Sequence, residues 1–177
     1  MLAFVLVGES TRLPGKHFLQ VVRGKRLIDL VIDNLRSIGF RVVIYSRVPF
    51  ETDAELILDR TSWILESIHS LFDYEDEFFL FGGDMPLVKK RAVELMVESI
   101  KPLSSLVPRW RNGYLEPLHA YYHHSTSSCL RGESLTSALR ACRYVEYIPA
   151  EIMPEETFFN INTRDDFEKF RKMIAEY

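Results

Sequence analysis

Cysteine is nearly absent from this 177-residue chain: only Cys129 and Cys142 occur. Two cysteines do not make the disulfide framework of a small secreted scaffold, and nothing in the sequence points to an oxidising compartment. Long apolar runs are missing as well. The opening MLAFVLV is too short to cross a bilayer, and no basic segment precedes it. The expectation is a cytoplasmic protein with no membrane association. There is no excess of positive charge either. A formal net charge of -3 argues against a nucleic-acid partner. Neither a Walker A loop nor a GxGxxG fingerprint occurs. Repeats, low-complexity tracts and linkers are also lacking, so residues 1–177 are read as a single domain. With 47% hydrophobic residues and 12 phenylalanines, disorder is excluded.

What is present has an α/β order. Leu2–Val7 and Arg41–Tyr45 read as buried strands, and Phe78–Phe81 as a third. Leu27–Ile38 has a helical apolar face, with Gly39 where a C-terminal cap belongs. Helices are also expected over Ser62–Leu71 and over Leu87–Ile100, the latter with Pro86 as its first residue. Strands follow at Ser105–Val107, Leu115–Tyr122 and Tyr144–Ile148, with short helices near 124–131 and 134–142. Thr163 begins the last helix, with Asp166 completing a capping box. Phe167, Phe170, Ile174 and Tyr177 form its apolar face. Strand and helix alternate, which predicts an α/β fold with a mostly parallel central sheet.

In such sheets ligands bind beyond the carboxyl ends of the strands. Two loops leave strands there: GESTRLPGK, from Gly8 to Lys16, and GGDMPLV, from Gly82 to Val88. Residues 1–26 hold Arg12, Lys16, Arg23, Lys25 and Arg26 against Glu9 alone. A local cationic patch on an acidic chain suits a small anionic ligand. A cationic loop facing the lone carboxylate of Asp84 suits a magnesium–nucleotide complex, because the ammonium neutralises phosphate and the carboxylate holds a hard cation. Each piece also has a plainer reading. Leu13–Lys16 forms a type II turn with solvated basic flanks, Asp84 caps a helix, and Lys25 sits in a hairpin beside Gly24. His119, His123 and His124 are not read as a zinc site, since no cysteine completes a ligand set. On an extended strand His119 and His123 share a face, taken to meet solvent. No Ser/His/Asp arrangement is legible.

Four stretches carry a family resemblance, spread over almost the whole chain: LVGESTRLPGK, FLFGGDMPLV, NGYLEPLHAYYH and FFNINTRDDFEKF. In order and spacing they resemble the molybdenum cofactor guanylyltransferases, of the Rossmann-like, three-layer nucleotidyltransferase fold. The resemblance implies GMP transfer from GTP to molybdopterin with Mg2+, release of pyrophosphate, and contact with molybdoenzyme-maturation partners. It implies nucleotide contacts at Leu6, Val7, Gly8, Lys16, Asp59 and Asp84, with Asp59 aimed at the base. Arg12 and Lys16 would take phosphate charge and Asp84 the metal. Glu116, Asn160 and Asn162 would bind the acceptor.

The chain departs from that pattern at Gly8-Glu9, where the family has two glycines, and in its shortened Arg12–Lys16 loop. The family's glycine-rich segment after Asp59 is missing too. STRLPGK resembles the loop of sugar-acid cytidylyltransferases. Two alternatives therefore stand beside guanylyl transfer: cytidylyl transfer to a sugar acid or to molybdopterin, and a non-catalytic nucleotide-binding module.

Overall fold

The computed structural model describes residues 1–22 and 24–175. Arg23 and Tyr177, named above as a cation and as part of an apolar face, lie outside the described residues. The strands are β1 (Leu2–Val7), β2 (Gln20–Val22), β3 (Lys25–Arg26), β4 (Arg41–Ser46), β5 (Glu55–Leu58), β6 (Glu77–Gly82), β7 (Ser105–Arg109), β8 (His119–His123) and β9 (Val145–Pro149). The α-helices are α1 (Leu27–Ile38), α2 (Ile64–Leu71), α3 (Lys90–Ser99), α4 (Leu135–Ala141) and α5 (Arg164–Ala175).

Seven strands form one sheet in the order β5-β4-β1-β6-β8-β7-β9. β5, β4, β1 and β6 are parallel neighbours, β8 is antiparallel to β6 and β7, and β9 is parallel to β7. The strand alternation sorts side chains into two cores. Ala3, Val5 and Val7 of β1 pack with α1 and α3, while Phe4 packs with α2 and α4. Helices thus cover both faces of the sheet, which is why its central strands read as unbroken apolar runs. A third, smaller cluster joins Leu13, Val21 and Leu27 to Ile161, Phe167 and Phe170 of the C-terminal region. It seats the loop after β1 against the chain leading into α5. Among the described residues no helix is long and apolar enough to cross a membrane.

Caps form where the residues dictate them. Gly39 ends α1 at φ 110°, a left-handed conformation that favours glycine. Thr163 and Asp166 exchange hydrogen bonds of 2.9 and 3.2 Å at the start of α5.

Four features depart from the sequence expectations or go beyond them. First, α3 starts at Lys90, not near Leu87, and Pro86 is not its first residue. The carbonyls of Pro86 and Val88 accept from the Asn34 amide, and the Lys89 N–H donates to Thr157 Oγ1, which holds 86–89 out of the helix. Second, the strand expected from Leu115 begins at His119. Pro117 interrupts any ladder, and Leu115 makes only an isolated bridge to Arg109. Third, the two cysteines do pair. Cys129 and Cys142 are bridged with Cα atoms 5.5 Å apart, because α4 brings the ends of the intervening loop together. Fourth, His119 does not meet solvent. It is fully buried against the rings of Phe81 and Phe158. Its Nε2 lies 2.9 Å from Thr157 Oγ1, while Nδ1 has no partner among the described residues.

Burial disfavours the charged imidazolium and lowers the His119 pKa from 6.5 to about 4. In the unfolded chain the ring binds a proton below the ordinary value, so stability from this residue is present above pH 6.5. It is lost as the pH falls toward 4. The loss is expected to be on the order of 3 kcal/mol. Urea denaturation at a series of pH values should show this slope in the native sequence, and His119→Gln should flatten it.

Candidate functional site

The sheet's carboxyl edge gathers the segments that follow β1, β4, β5 and β6. At the junction of β1 and β6 the backbones come into direct contact. The Gly83 N–H donates to the Leu6 carbonyl at 2.8 Å. A Cβ at position 83 would lie 2.9 Å from that carbonyl and 3.1 Å from His17 Nδ1, so only glycine allows the approach. The His17 ring is buried, and its Nδ1–H donates to the Gly83 carbonyl at 3.0 Å. Burial pushes the His17 pKa below its ordinary value, against the raising effect of that bond and of the Asp84 charge.

Lys16 reaches the same junction through a turn. Pro14 and Gly15 form its corner, Gly15 has φ 68°, and the Lys16 N–H donates to the Leu13 carbonyl at 3.2 Å. The turn expected from the sequence is therefore present, but Lys16 is not one of its solvated flanks. Its ammonium donates to Asp84 Oδ2 at 2.5 Å and approaches Asn162 Oδ1 at 3.4 Å. Ile161, next to Asn162, donates its N–H to the Asp84 carbonyl at 3.0 Å. Asp84 does not cap α3, whose N-cap is Lys89. The plainer reading of this carboxylate is thereby removed.

Lys16 and Asp84 line a pocket of about 260 Å³ that runs along the edge to Asp59, past Leu6, Val7, Gly8 and Arg47. At the far end Asp59 is surrounded by donors. Its Oδ1 accepts from the Thr61 N–H at 2.8 Å and the Thr61 hydroxyl at 2.6 Å. Its Oδ2 accepts from the Ser67 hydroxyl at 2.7 Å, with Arg47 Nε at 3.7 Å. Burial alone would raise its pKa. The Thr61 and Ser67 bonds and the Arg47 charge together hold it below the ordinary carboxylate value.

Of the residues expected at a site, the pocket brings together Leu6, Val7, Gly8, Lys16, Asp59 and Asp84. Asn162 joins through Lys16. Asn160 is half-buried one residue before Ile161. Arg12 is exposed and lies outside the pocket lining. Glu116 lines a neighbouring cavity with Trp110, Glu155, Glu156 and Phe158. It accepts from Trp110 Nε1 at 2.8 Å, and burial raises its pKa. Lining residues outside the expected set and its two loops are His17, Tyr45, Arg47, Ile64, Ser67 and Leu118. Arg47 follows β4 at the sheet edge already singled out, so the same rule could have found it. Nothing in the sequence marked His17, whose role depends on where Gly83 falls.

A divalent ion that arrives with a triphosphate takes one or two protein carboxylates and completes its shell with phosphate oxygens and water. The donor set fits that demand. Among the described residues no group of three or more His, Cys, Asp or Glu forms a ready cage. Asp84 supplies a hard oxygen, and the missing Cβ of Gly82 leaves room for its Oδ1, which such an atom would meet at 2.6 Å.

The chain is similar to known proteins over most of its length. A family model for the MobA-like NTP transferase domain matches residues 3–146. A protein named "probable molybdenum cofactor guanylyltransferase" from Pyrococcus furiosus is 33% identical, with 98% of this chain and 97% of that protein aligned. The crystal structure of molybdopterin-guanine dinucleotide biosynthesis protein A from Archaeoglobus fulgidus superposes with a TM-score of 0.83 at 25% identity, covering 100% of both chains. A CMP:2-keto-3-deoxy-manno-octonic acid synthetase complexed with CTP gives a TM-score of 0.73 at 16% identity, over 99% of this chain and 98% of that one. At that identity the likeness is one of fold.

The two glycines after β6 differ in what a methyl group would strike. At Gly83 it meets backbone, which cannot yield cheaply, so Gly83→Ala should cost about 1–3 kcal/mol. At Gly82 it meets the tip of the Asp84 side chain, which can swing aside. Gly82→Ala should therefore melt close to the native temperature yet lose most of the thermal shift given by a metal–nucleotide complex. Thermal melts of both variants, with and without nucleotide and magnesium, check the contrast.

Proposed function

The chain belongs to the MobA-like NTP transferase family, and on that premise we propose that it moves GMP from GTP onto the terminal phosphate of molybdopterin. It is a nucleotidyltransferase, of a family that works with a divalent metal; we take that metal to be Mg2+. The observation that carries the reading is the meeting of Lys16 and Asp84 at the sheet's carboxyl edge, between two glycine-bearing loops. Names of relatives aligned over nearly the whole chain support the guanylyl group and the molybdenum cofactor.

In the reaction an oxygen of the acceptor phosphate bonds to the α-phosphorus of GTP. The bond from that phosphorus to the bridging oxygen breaks, and pyrophosphate leaves with the electron pair. A phosphate monoester is largely dianionic at neutral pH. The nucleophile therefore needs no general base, which accords with the lack of a legible base among the expected site residues. Positioning and charge neutralisation carry such a transfer.

The chain's residues would divide the work by position. Backbone N–H groups around Val7 and Gly8 approach the phosphates, since no side chain at position 8 stands in the way. Lys16, held against one anionic oxygen of Asp84, exchanges it for an oxygen of the triphosphate and stabilises the departing pyrophosphate. Asp84 and a phosphate oxygen would hold Mg2+, which neutralises the phosphates and polarises the reacting phosphorus. Asn162, beside Lys16, would offer its amide to the incoming acceptor phosphate.

Pyrophosphate release measured with GTP, CTP, ATP or UTP, with magnesium and molybdopterin, tests the reading. GTP should be the productive donor, and release should depend on molybdopterin. Turnover per folded molecule should fall by orders of magnitude in Asp84→Asn, because a neutral amide is a poor ligand for a hard cation. Undiminished turnover in that variant would remove Asp84 from the metal role.

A further inference from the structure

We infer that Arg47, and not Asp59, reads the base of the donor nucleotide, by donating to the acceptor edge that guanine presents through O6 and N7. The inference rests on the guanylyl-transfer reading and concerns the far end of the same pocket.

The pocket has two chemically different ends. Lys16 and Asp84 mark the end that takes phosphate and metal. The base must then lie toward β4 and β5, where Leu6 and Ile64 supply apolar surface and Arg47 and Asp59 supply polarity. A carboxylate reads guanine by accepting from N1–H and the 2-amino group, and it needs free lone pairs to do so. Asp59 has few to give. Three hydrogen bonds from Thr61 and Ser67 already fill three of its roughly four acceptor positions. Its side chain is 5% exposed, and Arg47 Nε lies 3.7 Å from Oδ2, the oxygen that accepts only one of the three bonds. The cause is local. The chain runs from Asp59 directly into α2, with no glycine-rich stretch between, so Thr61 and Ser67 close on the carboxylate.

Arg47 is in the opposite condition. Its backbone is fixed, since its N–H donates to the Val7 carbonyl at 3.2 Å. Its side chain is 35% exposed and lines the pocket. The approach to Asp59 is 3.7 Å, an ion pair too long for a hydrogen bond. Among the described residues its guanidinium makes no hydrogen bond, so its donors are uncommitted in a side chain that lines the pocket, with Asp59 as a nearby counter-charge. A guanidinium has donors only, in a planar fork. Guanine is the base whose O6 and N7 match that fork side by side, whereas adenine sets an amino donor beside N7. Arg47 thus separates guanine from adenine without touching the 2-amino group.

This predicts an order among analogues that a carboxylate reader reverses. ITP keeps O6 and N7 and lacks the 2-amino group. 7-Deaza-GTP keeps the 2-amino group and lacks N7. With the native protein, kcat/KM for ITP should fall within about threefold of GTP. For 7-deaza-GTP it should be about tenfold lower, since one of the two bonds of a bidentate contact is lost. Arg47→Ala should lower the GTP-over-ATP ratio of kcat/KM by about 10- to 100-fold. A GTP preference that survives with 7-deaza-GTP and collapses with ITP would overturn the role of Arg47 and leave guanylyl transfer standing. Absence of any GTP preference in the native protein would overturn guanylyl transfer itself, and this inference with it. The analogue comparison requires no variant, so poor folding of Arg47→Ala does not blunt it.

Discussion

Lys16 and Asp84 are 68 positions apart, yet their charges meet at 2.5 Å with side chains 8% and 17% exposed. Neither charge is stable there alone, because an ion so shielded from water and left unpaired costs several kcal/mol. The pair therefore constrains two loops at once. The loop after β1 must fold inward far enough to deliver an ammonium, and the loop after β6 must stop where its carboxylate meets it. Gly15 permits the first through its left-handed backbone, and Gly83 permits the second by letting two backbones touch.

The two partners are delivered by separate parts of the fold. Asp84 is carried by the sheet, since β6 pairs with β1 from Ala3 to Leu6 and fixes the level at which the strand ends. Lys16 is carried by the third apolar cluster, in which Leu13 and Leu27 pack with Ile161, Phe167 and Phe170. That cluster also places Asn162 beside the ammonium, because Ile161 is wholly buried in it and bonds the Asp84 backbone. Ile161 thus links α5 to the site by packing on one side and a backbone hydrogen bond on the other, although α5 contributes no side chain to the pocket. The final helix acts there as an anchor for the segment that precedes it.

Much of this was legible in the sequence, for identifiable reasons. β1, β4 and β6 are buried on both faces and so read as continuous apolar runs. α1 shows its period and its terminal glycine. The positions of Lys16 and Asp84 followed from a rule about strand ends, which needs only the order of elements. What escaped depended on contacts between distant segments. The start of α3 is set by Asn34 and Thr157, neither of which is near Lys89 in sequence. The burial of His119 depends on its register opposite Phe81, and no periodicity within β8 reveals that partner. The Cys129–Cys142 bridge depends on the path of α4. Arg12 and Lys16 looked equivalent as basic residues of one loop, but the turn at Pro14-Gly15 sends one inward and leaves the other in solvent.

Asp59 and Asp84 show why residue type and place along a strand edge do not fix a role. Both follow parallel strands, both line one pocket, and both face a cation. They differ in how their lone pairs are occupied. Asp59 is held by hydroxyl and backbone donors from within eight residues of itself, on a rigid turn and helix. Those bonds are built into the local chain and have no competitor. Asp84 is held by one flexible ammonium, and any cation that binds it more strongly can take the ammonium's place, provided that an anion arrives to receive Lys16. A metal–triphosphate complex brings both together. The exchangeable carboxylate is thus suited to a ligand that comes and goes, and the saturated one to fixing its neighbours. The difference lies in the inventory of donors around each oxygen, and that inventory is set by the fold.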